Sequence, residues 1–150
     1  MEETITAAAG FLVAVLWFDL MFDVQLLPHR RSPEVPEIVL ASISGYYRRV
    51  TTTASPMGRL VGLTMMILLL ALITQAARGD APGWASAVSL SAGLLAVGLA
   101  VLGVFGPARR LGARTDSLVV QSRLAWHIFR DHLICLAAMV VVLVVQIGGT

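Results

Sequence analysis

Four stretches of the chain stay apolar for about twenty residues, the length of helix that crosses a hydrocarbon core of roughly 30 Å. They cover about Ile5 to Leu27, Met57 to Ala77, Trp84 to Phe105 and Trp126 to Ile147. Only Asp19 and Asp23 interrupt the first, and the fourth ends in the nearly pure apolar run LAAMVVVLVVQIGG. The pattern predicts an all-α fold: one integral membrane four-helix bundle over residues 1–150. The first stretch does not read as a signal peptide. It opens on Glu2 and Glu3 where positive charge is wanted, carries Asp19, and lacks a small-residue cleavage site.

The segment between the first two spans, from Pro28 to about Pro56, has its own periodicity. Ser32-Pro33-Glu34 reads as a helix start, with a Ser cap, Pro in the first turn and an acid beside it. Val39, Ile43, Tyr46, Tyr47 and Val50 then recur near helical spacing, which predicts an amphipathic cytoplasmic helix over about Pro33 to Thr51. Such a helix either lies on the inner leaflet, with its tyrosines at the headgroups, or packs on the end of the bundle. Ser55-Pro56 is the expected cap and first turn of the second span. Along the third span, Ala85, Ser89, Ala92, Ala96, Ala100 and Gly103 form one stripe of small residues, and Gly58 and Gly62 open the second span in the same way. Small residues let helices approach within lipid, either inside the bundle or between copies of the chain. Gly106-Pro107 predicts the end of the third helix.

Composition agrees with the pattern. Hydrophobic residues make up 57% of the chain and charged ones 13%, against about 25% charge in soluble domains, and the mean hydropathy is +0.83. This excludes a disordered chain, a nucleic-acid-binding module and an ordinary cytosolic enzyme. All 11 cationic side chains are Arg. Nine of them (Arg30, Arg31, Arg48, Arg49, Arg59, Arg109, Arg110, Arg114 and Arg123) fall in or beside the two loops on one side, and only Arg78 falls on the other. The positive-inside rule then places both Arg-rich loops in the cytoplasm and both termini outside, in a multi-pass plasma (inner) membrane protein. Arg forks onto phosphate. Arg30, Arg31, Tyr46, Tyr47, Arg48, Arg49, Arg109, Arg110 and Arg114 are therefore the expected contacts for anionic lipid or a partner protein, unless the Arg content reflects only codon usage. Cys135 is the only cysteine, so no intrachain disulfide forms.

The charges left inside the spans are the candidate chemistry. Asp19 and Asp23 share a helix face at i, i+4, as do Arg123, His127 and Asp131 on the fourth span, with Arg130 and His132 flanking them. Counting about 1.5 Å per residue in antiparallel neighbours sets Asp23 level with His127, and Asp19 level with Arg130, Asp131 and His132. Three readings fit this layer. One is an ion-pair network that locks span one to span four, with Asp19 and Asp23 matched to Arg130 and Arg123. Another is a path for protons or a cation, which four spans would support as an oligomer or as a subunit of a larger membrane complex. The third is a divalent metal held by Asp19, Asp23, His127 and Asp131 in a membrane metalloprotein or metalloenzyme, against which the nearby Arg compete. Di-iron Glu-x-x-His pairs, a second axial His for haem, histidine boxes and a nucleophile elbow are all missing from the sequence. Met57, Met65 and Met66 read as packing residues rather than copper ligands.

Overall fold

A computed structural model describes residues 1–53 and 55–149, apart from the side chain of Ser55; the capping role expected of Ser55 lies outside that set. Helix α1 (Glu2–Asp23) runs on as a 3-10 segment, Val24–His29. Helix α2 (Glu37–Arg48) ends in a wide π turn, Arg49–Thr53, before α3 (Ser55–Arg78). Helix α4 (Gly83–Leu99) passes through a second π turn, Ala100–Val104, into α5 (Phe105–Ala113), and α6 spans Leu118–Gly148. Four helical stretches are long and apolar enough to cross a membrane: Glu2–His29, Pro56–Arg78, Gly83–Ala113 and Leu118–Gly148.

The four long helices close a ring. Helix α6 packs against α1 and α4, and α3 packs against the same two. At 31 residues, α6 is about 46 Å long, and the continuous stretch Gly83–Ala113 has the same number of residues. Two apolar cores form. The first joins Ile5, Leu12, Leu68, Leu72, Met139 and Val142 near the terminal end of the bundle. The second joins Leu26, Leu40, Ile43, Tyr47, Leu111 and Ile128 at the Arg-rich end. Outward faces carry large apolar side chains such as Trp17, Leu70, Leu102 and Val144, a surface that suits lipid and not water.

Two helix boundaries differ from expectation. Helix α2 starts at Glu37, with Pro36 at its N-cap, and not at Ser32-Pro33. A helix begun at Pro33 would need an N–H from Pro36, which has none, and Val35 ahead of that proline is driven out of helical geometry. The third span does not end at Gly106-Pro107: the helix continues through them to Ala113. In a regular helix the Pro107 ring would collide with the carbonyl four residues back. The π turn just before it widens the coil and relieves that contact. The helix ends instead at Arg114, which takes the left-handed conformation at φ 55°.

This extension gives α2 its support. Leu40, Ile43, Ser44 and Tyr47 are buried, and α2 packs mainly on α5. A Cβ on Gly112 would stand 2.8 Å from the backbone nitrogen of Arg48, so glycine permits this close approach. The small-residue stripe of α4 also faces inward: Ala85, Ser89 and Ala96 are buried, in a helix that packs on α6. Gly58 and Gly62 differ. A Cβ on Gly62 would meet nothing within 4 Å, and one on Gly58 only the Val50 carbonyl oxygen at 3.7 Å, so neither glycine marks a tight contact.

Candidate functional site

The last turns of α1 bring Asp19 and Asp23 to face α6. The carboxylate of Asp23 is fully buried, and its Oδ2 lies 2.8 Å from His132 Nδ1. With its hydrogen on Nδ1, His132 donates to Asp23, and Nε2 points elsewhere. His132 Nε2 lies 3.8 Å from Asp19 Oδ2. The imidazole is thus bracketed by two carboxylates, one oriented and tight, the other looser and 15% exposed.

Helix α2 closes the layer from the Arg-rich side. Tyr47 donates to Asp23 Oδ1 at 2.7 Å, and Tyr46 donates to Asp19 Oδ1 at 2.6 Å. Phe22 stacks on Tyr46 with ring centroids 4.1 Å apart, which fixes the ring that carries this hydroxyl. Burial, reinforced by the neighbouring carboxylates, holds both phenols above their ordinary pKa, so each stays a donor. The tyrosines expected at lipid headgroups therefore turn inward as carboxylate partners. The signal that could have found them is the need of two acids in an apolar stretch for hydrogen-bond donors.

The other predicted polar residues form a separate cluster. Asp131 Oδ1 accepts from Arg130 Nε and Nη2 at 3.0 and 2.9 Å, and Arg130 also donates to His127 Nδ1 at 3.1 Å. His127 Nε2 stands 3.4 Å from Asp131 Oδ2. That buried oxygen has no hydrogen-bond partner among the described residues. Gly103 lies directly over it, where a Cβ would be 2.5 Å away. Arg123 is exposed and makes no ion pair among the described residues. The expected matching of Asp19 and Asp23 to Arg130 and Arg123 is not formed: Asp23 reaches His132, five residues beyond the level assigned by counting. Counting does set Asp19 level with His132, which stand 3.8 Å apart; the same imidazole reaches Asp23, one turn away, through its other nitrogen. The four proposed metal ligands are not assembled either. Asp19 and Asp23 are engaged by tyrosines, Asp131 by Arg130, and no metal-binding group of three such side chains occurs among the described residues.

Next to Asp19 and His132 lies a cavity of about 440 Å³, enclosed by α1, α3, α6, the π turn and the two tyrosines. Its walls are apolar apart from Asp19, Tyr46, Tyr47, Thr51, His132 and Cys135. Val101, Phe105 and Met57 line it and are also exposed on the outside of the bundle, so the cavity opens sideways between α3 and the π turn. Gly58 and Gly62 stand at that opening.

A second polar layer, unforeseen from the sequence, sits toward the termini. Gln75 and Gln146 exchange amide hydrogen bonds at 2.9 and 3.1 Å, and Gln146 also donates to Ser89 at 3.0 Å. Of the arginines read as a lipid or partner surface, Arg110 is used internally by Asp116 and Arg114 by Glu37. Arg30, Arg31, Arg48, Arg49 and Arg109 remain exposed. Comparison with family models, with curated proteins and with solved structures finds no match to this chain.

Proposed function

We propose that this is a polytopic plasma (inner) membrane protein, its termini outside, in which Asp19, Asp23 and His132 exchange protons within the inner-leaflet half of the bundle. It would act as an oligomer or as a subunit of a larger membrane complex. The observation that carries the reading is the bracketing of His132 by two carboxylates at 2.8 and 3.8 Å, beside a cavity that reaches the outside of the bundle. Asp23, held by Tyr47, orients the imidazole, and Nε2 and Asp19 are the pair facing the cavity. An imidazole and a carboxylate so placed are the usual parts of an intramembrane proton relay. The five exposed arginines at the same end supply the cytoplasmic signal and a surface for anionic lipid.

A structural reading rests on a different observation: each acid binds a tyrosine of α2, and both face one histidine of α6, which ties three elements together. Proteoliposomes containing a pH-sensitive dye separate the two. Under an imposed potential, proton flux should be present in the wild type and lost in Asp19→Asn with little change in melting temperature. Equal flux in both contradicts the proposal. Loss of thermal stability in the variant, with no flux in the wild type, assigns these residues to helix locking. Orientation has its own test: with the termini outside, a Cys introduced at residue 2 should react from the outside, against little background from the buried Cys135.

A further inference from the structure

We infer that the lateral cavity is a binding site for an amphiphilic cation, an amine or quaternary centre on an apolar body, held by Asp19 in exchange for a proton. The inference rests on the proton-exchange reading of Asp19 and adds the ligand class. The first argument is charge. Two carboxylates face one imidazole, so even a charged His132 leaves the cluster one cation short of neutrality. Arg130, next to Asp131 on α6, is turned toward that acid. An ionised carboxylate in an apolar wall needs a partner, which is a proton when the cavity is empty and a ligand cation when it is filled.

The groups around Asp19 agree from every side. Helix α1 contributes Asp23, α2 the hydroxyls of Tyr46 and Tyr47, and α6 His132 and Cys135, with Asp131 beyond them. Helix α3 and the wall from Val97 to Ala108 contribute no titratable side chain to the lining. Among the described residues no Arg lines the cavity. Three aromatic rings, Tyr46, Tyr47 and Phe105, border the space and favour a cation at their faces. The volume falls within the ~300–1,000 Å³ of small-molecule sites. The sideways opening, lined by Met57, Val101 and Phe105, admits a ligand partitioned into lipid.

Tetraphenylphosphonium binding to the purified full chain in detergent, followed by equilibrium dialysis, tests this. Saturable binding is expected, with an affinity that rises by up to about tenfold per pH unit over the range in which Asp19 loses its proton. Asp19→Asn should weaken binding at least tenfold. Gly62→Leu should do the same by filling the opening, and because a side chain there meets open space its melting temperature should hold. This second variant keeps the test valid if Asp19→Asn folds poorly. Binding unchanged in well-folded Asp19→Asn overturns the inference. So does equally tight, pH-independent binding of neutral triphenylphosphine oxide, which would make the cavity a site for uncharged lipophiles. Absence of saturable binding, with Asp19-dependent proton flux intact, overturns the cation inference and leaves the proton reading standing.

Discussion

The bundle holds two buried polar layers, and they are built on opposite principles. Near the termini, Gln75 on α3, Gln146 on α6 and Ser89 on α4 are neutral; the two amides exchange hydrogen bonds, and Gln146 also donates to Ser89. Toward the Arg-rich end, Asp19, Asp23 and His132 are ionisable and unequal in number, and they adjoin a cavity. The neutral layer can hold helices together without a change of charge at any pH near neutral. The other layer holds two acids against one imidazole, groups whose charge changes with protonation. Position in the same bundle does not decide between lock and site; the balance of donors, acceptors and charge does.

Substitutions sharpen this contrast. The largest effect is expected for Asp23→Ala. It strips His132 and Tyr47 of their buried partner, and breaking such a pair costs about 3–5 kcal/mol, read as a large fall in melting temperature together with loss of proton flux. Tyr47→Phe removes a buried bond to a carboxylate, worth about 1.5–3 kcal/mol. Tyr46→Phe should cost less because that side chain is half-buried, and thermal melts of the two variants side by side give the order. Gln146→Leu leaves Gln75 and Ser89 without their partner at about 1–3 kcal/mol. It should lower the melting temperature while proton flux per folded molecule stays at the wild-type level. Flux lost in Gln146→Leu would erase the distinction between the two layers.

The smallest effect belongs to the turn between α5 and α6. The hydrogen bonds from Arg110 hold the Asp116 carboxyl below its ordinary pKa. A depressed carboxylate adds stability above its unfolded pKa, and that contribution disappears as pH falls through the folded value. Asp116→Asn should therefore speed amide hydrogen exchange around Arg114 to Ser117 slightly at neutral pH. The difference should vanish in acid.

Much of the bundle was readable in the chain because apolar runs of this length have few alternatives. All four expected stretches occur as helices long and apolar enough to cross a membrane, and Asp19, Asp23 and the run Arg130 to His132 lie on α1 and α6. What escaped was three-dimensional. Pro107 looks like a terminator unless a π turn is known to precede it, and that turn leaves no composition signal. The tyrosines gave the same periodicity whether they met lipid or acids. Counting sets Asp19 level with His132 but gives Asp23 to His127, because residue levels do not show that one imidazole reaches two carboxylates a turn apart. The cavity was invisible for a simple reason: Val61, Met65 and Val97 read the same whether they touch a neighbour or empty space. Gly58 and Gly62 suggested close packing, and only their surroundings show that they border an opening.

The central claim is that the acids of the charged layer titrate within the membrane. Infrared difference titration of the protein in bilayers measures this directly, through the stretching band of protonated carboxyl groups. The account predicts a band that grows and fades reversibly with pH in the wild type, is missing in Asp19→Asn, and persists in Gln146→Leu. No titrating band in the wild type, or the same band in Asp19→Asn, would contradict it.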